Sequence, residues 1–320
     1  MINYVIRRLL LVIPTLLLVT IIIFVAIRLI PGDVIDQMAR ANMATSHADF
    51  ESFRQRITQE LGLDVPIHVQ YVRWISGVIR GDLGDSLWSR RPVIEEIAKR
   101  LPVSIQLGGM ALLISLSISL PIGTYSAVRQ DTLGDYIARS FAILCIAIPG
   151  FWLGTMVMVF PSIWWNWSPP IQYVSATQDL LENLSIMIIP SAILGMLMSG
   201  MTMRMTRTMM LEVLRQDYIR TAYAKGFSER AVILRHAIKN ALIPVITLIG
   251  LWVPILIGGE VIIEQIFVLP GIGRLLLSAA TNRDYTMLSG VNLVLAGFIL
   301  LTNILVDLTY CYLDPRVQYE

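Results

Sequence analysis

Long runs of uncharged, mostly apolar residues alternate with shorter polar segments along this chain. The first run, Leu9–Ile27, holds 19 residues, which as an α-helix would span about 28 Å, close to the thickness of a bilayer's hydrocarbon core. Further uncharged runs follow at Leu101–Val128, Ser140–Gln178, Asn183–Met203, Asn240–Gly259 and Tyr285–Val306. The pattern predicts an all-α integral membrane protein with six transmembrane helices.

The run Ser140–Gln178 is long enough for two helices, so its local signals decide the count. Three tryptophans and the pair Pro169-Pro170 follow Phe160. Tryptophan concentrates at membrane interfaces, and a proline pair ends a helix. We therefore predict one crossing helix that ends soon after Phe160, followed by a loop.

Lys and Arg are distributed unevenly between the segments that separate the spans. With the N-terminus inside, the cytoplasmic side holds thirteen basic residues and the short outer segments hold two. The cytoplasmic segments are then 1–8, 128–140, 204–239 and 307–320, and the short outer ones are 161–182 and 265–284. Basic residues favour the cytoplasmic side, which predicts that both termini lie in the cytoplasm.

This topology divides the chain into three parts. Residues 1–30 form an N-terminal tail and the first span, 31–100 a long extracytoplasmic helical segment, and 101–320 a five-helix core that includes the cytoplasmic segment 204–239. In the outer segment, helical spacing of apolar residues predicts helices at Asp49–Leu61 and Val69–Ile79. This segment either covers the outer helix ends or also offers a docking surface to an external partner.

Composition agrees with a membrane protein and argues against catalysis by this chain. Hydrophobic residues make up 55% of the chain and charged residues 15%, with a mean hydropathy of +0.67. The net charge of +2 does not indicate nucleic-acid binding. None of the three lysines follows a glycine, so a phosphate-binding Gly-Lys-Ser/Thr motif is absent, and the three histidines share no metal-ligand spacing. We predict no enzyme activity, no metal and no cofactor.

The segment 204–239 is the longest predicted cytoplasmic one and holds eight basic residues. The small residues Thr221, Ala222 and Ala224 continue a helix. Gly226 ends it, and Ser228 can cap the helix that feeds the fifth span. We call this helix–glycine–helix arrangement the elbow. Its charge alone would suit an anchor on anionic lipid. The small residues and the placed glycine favour a surface that another protein's groove accepts.

The residues of this elbow resemble a known signature. The series Arg220-Thr221-Ala222-Tyr223-Ala224-Lys225-Gly226, with His236, Asn240 and Pro244 after it, is similar to the cytoplasmic "EAA" signature of ABC-importer permeases, in the variant of the dipeptide, oligopeptide and nickel branch. Arg220 stands where the generic signature has glutamate, and Lys239 stands where it has proline. Both departures are compatible with that branch.

Other motifs extend the resemblance over essentially the whole chain, in order. They are Pro31-Gly32-Asp33, Leu61-Gly62-Leu63-Asp64, Gly81-Asp82-Leu83-Gly84-Asp85-Ser86, Arg90-Arg91-Pro92-Val93, Gly258-Gly259, Glu264 and Pro270-Gly271-Ile272-Gly273-Arg274.

The resemblance implies a permease subunit of the bacterial inner membrane that forms half of a peptide pathway. It implies a second, homologous permease, two ATP-binding-cassette subunits that bind ATP and Mg, and an extracytoplasmic solute-binding protein. The elbow residues 220–226 would then couple the permease to the ATPase. Nickel complexes and glutathione-like peptides stay open as substrates. A secondary transporter is the rival class, although the chain shows no internal repeat.

Four polar residues of the last two spans are candidates for the substrate pathway. Glu260 and Glu264 are four apart and so share one helix face at the outer end of the fifth span. They either contact a cationic group such as a peptide ammonium, or pair with Arg274 or Arg283. Asn292 and Asn303 are about three turns apart on the sixth span, and either line the path or bond between helices.

Overall fold

The computed structural model describes residues 2–29, 54–55, 58–59, 64–258 and 260–313. Pro31-Gly32-Asp33, Leu61-Gly62-Leu63, Gly259 and most of the predicted helix Asp49–Leu61 lie outside the described residues. The helices are α1 (Ile2–Arg28), α2 (Ile67–Ile79), α3 (Val93–Val128), α4 (Leu133–Ala147), α5 (Gly150–Trp165), α6 (Leu180–Leu214), α7 (Asp217–Ala224), α8 (Glu229–Ala231), α9 (Ile238–Ile257), α10 (Val261–Ile266), α11 (Ile272–Thr281) and α12 (Tyr285–Leu313). A π-helical segment, Val232–Ala237, joins α8 to α9.

The described part of the chain is an all-helical membrane protein. Five of its helical stretches are long and apolar enough to cross a bilayer, and α4 with α5 forms a sixth candidate span that is bent by 90°. Several helices extend beyond the predicted spans: α3 begins at Val93, before the run Leu101–Val128, and α12 continues to Leu313. In particular α6 continues to Leu214, so the first third of the segment 204–239 is a continuation of the fourth span and not a loop.

The bend between α4 and α5 corrects the prediction of a single crossing helix in the run Ser140–Gln178. Ile148 has extended backbone angles, and Pro149 follows it as the cap of α5. Proline disfavours helical geometry in the residue before it and lacks the N–H that would continue the hydrogen-bond ladder. The helix therefore breaks at Pro149, and α5 continues past Phe160 to Trp165.

The packing of α3 against α6 is the most extensive contact between two helices in the described residues. A side chain at Gly195 of α6 would place its Cβ 2.8 Å from the carbonyl oxygen of Ala111 on α3. Because glycine stands there, the two backbones approach closely, as is common between membrane helices. This pair forms the centre on which the other helices are arranged.

Buried apolar residues form three clusters along this central pair. One contains Val93, Ile272 and Val291, near the starts of α3, α11 and α12, and one lies in the middle around Leu107, Met187 and Phe267. The third, which we call the elbow cluster, contains Ala127, Met210, Ile219, Ala222, Val232, Ala237 and Ala241. The elbow cluster lies where α3 and α6 end, and it supports the predicted coupling segment.

Candidate functional site

The elbow has the local geometry that the sequence predicts. Helix α7 ends at Ala224, and Gly226 has a φ of +80°. The Gly226 N–H donates to the carbonyl of Tyr223 at 2.9 Å, and the Phe227 N–H donates to that of Ala222 at 3.3 Å. These two bonds form a Schellman motif, which requires the left-handed conformation that glycine adopts at little cost. Ser228 then caps α8 by accepting a hydrogen bond from the Ala231 N–H.

One face of α7 packs against the body of the protein. Ile219 and Ala222 are 1% and 7% exposed and belong to the elbow cluster. The sequence-based expectation that Ala222 offers a small surface to a partner is therefore wrong. Its small size serves the close approach of α7 to the protein's own core.

The opposite face of α7 is open to solvent. It presents two tyrosines, each more than 40% exposed, together with exposed small and basic residues. These residues are Tyr218, Arg220, Thr221, Tyr223, Ala224 and Lys225. The ion pair between Arg220 and Asp217, at 3.5 Å, is itself highly exposed and so contributes little to stability. This face is a mixed aromatic and basic surface of the kind that another protein can contact.

The joint between the elbow and α9 was not predicted from the sequence. Val232–Ala237 forms a π-helical turn, in which Val232 and Ala237 are fully buried and Leu234 is exposed. Such turns are rare and occur frequently at functional sites. The joint links the elbow directly to the fifth span.

A buried ion pair, also missed by the sequence analysis, ties together the helix ends beside the elbow. Arg207 of α6 donates two hydrogen bonds to Asp135 of α4, each 2.8 Å long. The Ser126 hydroxyl of α3 also donates to Asp135, and the Asp131 N–H donates to it at 3.0 Å. The Asp135 side chain has no exposed surface. The consecutive helices α3 and α4 and the more distant α6 thus share one buried carboxylate.

The signal for this pair was present in the sequence but incomplete. An acidic residue beside an apolar run, as at Asp135, needs a charged partner when it is buried. Arg207 is 72 residues away, and eight basic residues in the same segment offered equal candidates. Only the packing of α4 against α6 identifies the partner.

Glu264, a candidate for the substrate pathway, is enclosed in protein. Its side chain is fully buried in the short helix α10, which a break after Ile257 separates from the fifth span. It accepts hydrogen bonds from the Ser104 hydroxyl at 2.7 Å and from the Arg274 N–H at 2.8 Å. The expected partner, the Arg274 guanidinium, instead donates to the carbonyl of Val268. Glu264 thus links α3, α10 and the start of α11.

The motif Pro270–Arg274 is wrapped around this carboxylate. A Cβ on Gly271 would lie 2.1 Å from one Glu264 carboxylate oxygen. The Ile272 N–H donates to the Ser104 hydroxyl at 2.8 Å, which leaves that hydroxyl's proton for Glu264. The glycine is required here by the closeness of the carboxylate, since its φ of −93° is ordinary.

The other three pathway candidates do not converge with Glu264 on one site. Glu260 precedes α10 and is half-buried one turn before Glu264, whose N–H donates to the Glu260 carbonyl. The Asn292 amide donates to the carbonyl of Leu288 in its own helix. Asn303 is exposed.

The motif residues 81–93 form a further buried polar contact, near the start of α12. The Ser86 hydroxyl donates to Asp284 at 2.6 Å, and both side chains are buried. The Trp88 indole N–H donates to the carbonyl of Asn282 at 2.7 Å. These hydrogen bonds hold the segment that contains Ser86 and Trp88 against the loop between α11 and α12.

Comparison with known proteins places this geometry in a family. The chain is 37% identical to the dipeptide transport system permease protein DppB of Escherichia coli K12, over 100% of both chains. It is 38% identical to the oligopeptide transport system permease protein AppB of Bacillus subtilis, over 99% of both chains. A solved inward-facing structure of the MetNI methionine ABC transporter matches with a TM-score of 0.55 at 14% identity, covering 68% of this chain and 96% of that one. That likeness shows the fold alone.

Two family models cover most of the sequence. Residues 1–108 match the N-terminal membrane component of binding-protein-dependent transport systems, and residues 119–319 match the binding-protein-dependent transport system inner membrane component. In such systems the ATPase and the binding protein are separate partners, and the permease carries no cofactor. The chain belongs to this family of binding-protein-dependent transport permeases, as the multi-pass membrane component of an ABC transporter.

Proposed function

We propose that this chain forms half of the translocation pathway of an importer for dipeptides or oligopeptides. The support for peptides is that two relatives named for dipeptide and oligopeptide transport align over their full length at 37% and 38% identity. Purified complex in liposomes is expected to accumulate dipeptides or short oligopeptides when ATP and the binding protein are present. Transport of a nickel complex in place of peptides would contradict the substrate assignment and leave the permease assignment intact.

The proposed assembly contains this subunit, a second homologous permease, two ATP-binding-cassette subunits and an extracytoplasmic solute-binding protein. It lies in a bacterial inner membrane with both termini of this chain in the cytoplasm. The topology is supported by the excess of basic residues, thirteen against two, on the proposed inner side.

Within this assembly, the segment Arg220–Gly226 is the coupling element that contacts an ATPase subunit. The observation that carries this proposal is the two-sided construction of α7. Its inner face, with Ile219 and Ala222, is packed on the elbow cluster, while its outer face, with Tyr223 and Lys225, is exposed. A helix held rigidly on one side and open on the other can pass a displacement from a bound partner to the spans.

The test compares bulky substitutions on the two faces of α7. Ala224→Trp adds bulk to the exposed face, so the protein should fold normally but bind the ATPase subunits weakly. Ala222→Trp adds bulk within the elbow cluster, so the protein itself should lose stability. Gly226→Val should misdirect the elbow, because a β-branched residue is a steric outlier at positive φ. Gln130→Trp, at an exposed position outside the elbow, is the matched control.

Pull-down of the ATPase subunits and stimulation of hydrolysis by loaded binding protein are the two readouts. The Ala224→Trp protein should keep its yield and monodispersity and lose one or both readouts, while the Gln130→Trp protein keeps them all. If Ala224→Trp assembles, hydrolyses ATP and transports as the parent does, α7 is not the coupling element.

A further inference from the structure

A crevice of about 660 Å³ opens between the last turns of α3 and the joint that leads from the elbow into α9. This volume lies within the range of about 300–1,000 Å³ that is typical of small-molecule sites. Met210 of α6, which is fully buried, lies at its floor. The walls are mainly apolar and include Leu120, Thr124, Val128, Ile233, Leu234 and Leu242.

Charged residues stand at the mouth of the crevice. Arg129 follows α3, and Arg230 lies in α8 beside Glu229. All three residues are exposed. Within the described residues, the guanidinium group of neither arginine takes part in a hydrogen bond or an ion pair. The mouth therefore offers two free guanidinium groups and one carboxylate above a hydrocarbon-lined space.

We propose that this crevice binds an anionic phospholipid, with an acyl chain between α3 and α9 and the phosphate held by Arg129 and Arg230. Guanidinium groups bind phosphate oxygens through paired N–H donors, and an apolar crevice at the end of a membrane span can accept hydrocarbon. Basic pockets between helices on the cytoplasmic side are suited to anionic headgroups. A water-soluble anion would fill the mouth but would leave the apolar walls uncovered.

The bound lipid would contact two parts that the elbow must move together. Ile233 and Leu234 belong to the π-helical joint, whereas Thr124 and Val128 belong to α3. A chain inserted between them would contact Met210 and Ala241 of the elbow cluster and would support the joint from the crevice. Anionic lipid should therefore increase the stimulation of ATP hydrolysis by loaded binding protein. This consequence rests on the proposed role of the elbow, but binding of the lipid does not.

The test is native mass spectrometry of the purified complex, titrated with phosphatidylglycerol and with phosphatidylcholine of the same chain length. Each arginine near an anionic headgroup contributes about fivefold in affinity. The double variant Arg129→Gln/Arg230→Gln should therefore retain phosphatidylglycerol about twenty-five-fold less well. The control Arg204→Gln removes an exposed arginine of α6 that does not line the crevice, and it should leave retention unchanged.

A second variant tests the apolar walls with both arginines in place. Thr124→Phe fills part of the crevice and should lower retention of phosphatidylglycerol severalfold. Equal retention of the two lipids by the parent, or unchanged retention in the double arginine variant, would overturn the proposal. Efficient cross-linking of a cysteine at Leu234 to the second permease would also overturn it, because the crevice would then be a subunit interface. Unlike the elbow variants, none of these binding readouts depends on ATPase attachment.

Discussion

Replacement of Arg207 by methionine should expose how much the buried ion pair with Asp135 contributes to stability. The substitution keeps an unbranched apolar stem of similar reach and removes the guanidinium. Asp135 would then keep its hydrogen bonds from Ser126 and from the Asp131 N–H. The Arg139 guanidinium, 3.8 Å from Asp135 and 40% exposed, would be the nearest remaining positive charge among the described residues.

The magnitude follows from the burial of the two partners. Removal of one partner from a buried ion pair costs about 3–5 kcal/mol, because a buried charge is left without compensation. A largely exposed pair such as Arg139–Asp135 offsets only about 0.2–1 kcal/mol. We therefore expect the Arg207→Met protein to lose about 3 kcal/mol of unfolding free energy. Asp135→Asn on the Arg207→Met background should recover about 2 kcal/mol, since no buried charge then remains.

Equilibrium unfolding of the detergent-solubilised protein, with increasing mole fraction of SDS, measures these differences. Arg204→Met is the matched control, since Arg204 lies three residues earlier on α6 and is exposed; it should cost less than about 0.5 kcal/mol. A loss below about 1 kcal/mol for Arg207→Met, or additive effects in the double variant, would refute the assignment of Asp135 and Arg207 as a coupled buried pair.

Three further predictions concern close packing, buried polar bonds and topology. Gly271→Ala should destabilise the folded protein by about 1–3 kcal/mol, because its Cβ would overlap the Glu264 carboxylate; Gly109→Ala, where a Cβ meets nothing within 4 Å, should not, and equal melting temperatures of the two variants would argue against this packing. Glu264→Gln should cost about 1–3 kcal/mol, because its amide N–H₂ would face a hydrogen-bond donor; normal stability with weakened peptide transport would instead indicate contact with the solute. In a background without other reactive cysteines, a cysteine at Thr177 should react with an impermeant maleimide from outside and one at Gln130 only from the cytoplasm, and the reverse labelling would invert the proposed topology.

Local signals in the sequence were sufficient to predict those turns and helix ends whose conformation depends only on neighbouring residues. The turn at Gly226 and the cap at Ser228 lie where the sequence predicts them, because a positive φ and an N-cap hydrogen bond involve residues only a few positions apart. The break at Pro149 is an equally local signal, because proline disfavours helical geometry in the residue before it.

The six-span architecture also follows from the sequence, because a bilayer requires about 20 apolar residues for each helix that crosses it. The direction in which each side chain faces was decided by tertiary packing. Ala222 faces the protein's own core, Glu264 is bonded to Ser104 at a separation of 160 residues, and Asp135 is bonded to Arg207 at a separation of 72. Whether a helix can cross a bilayer depends on the apolar character of its own residues, which the sequence gives directly. The partner of a buried charge depends instead on which distant helix packs beside it.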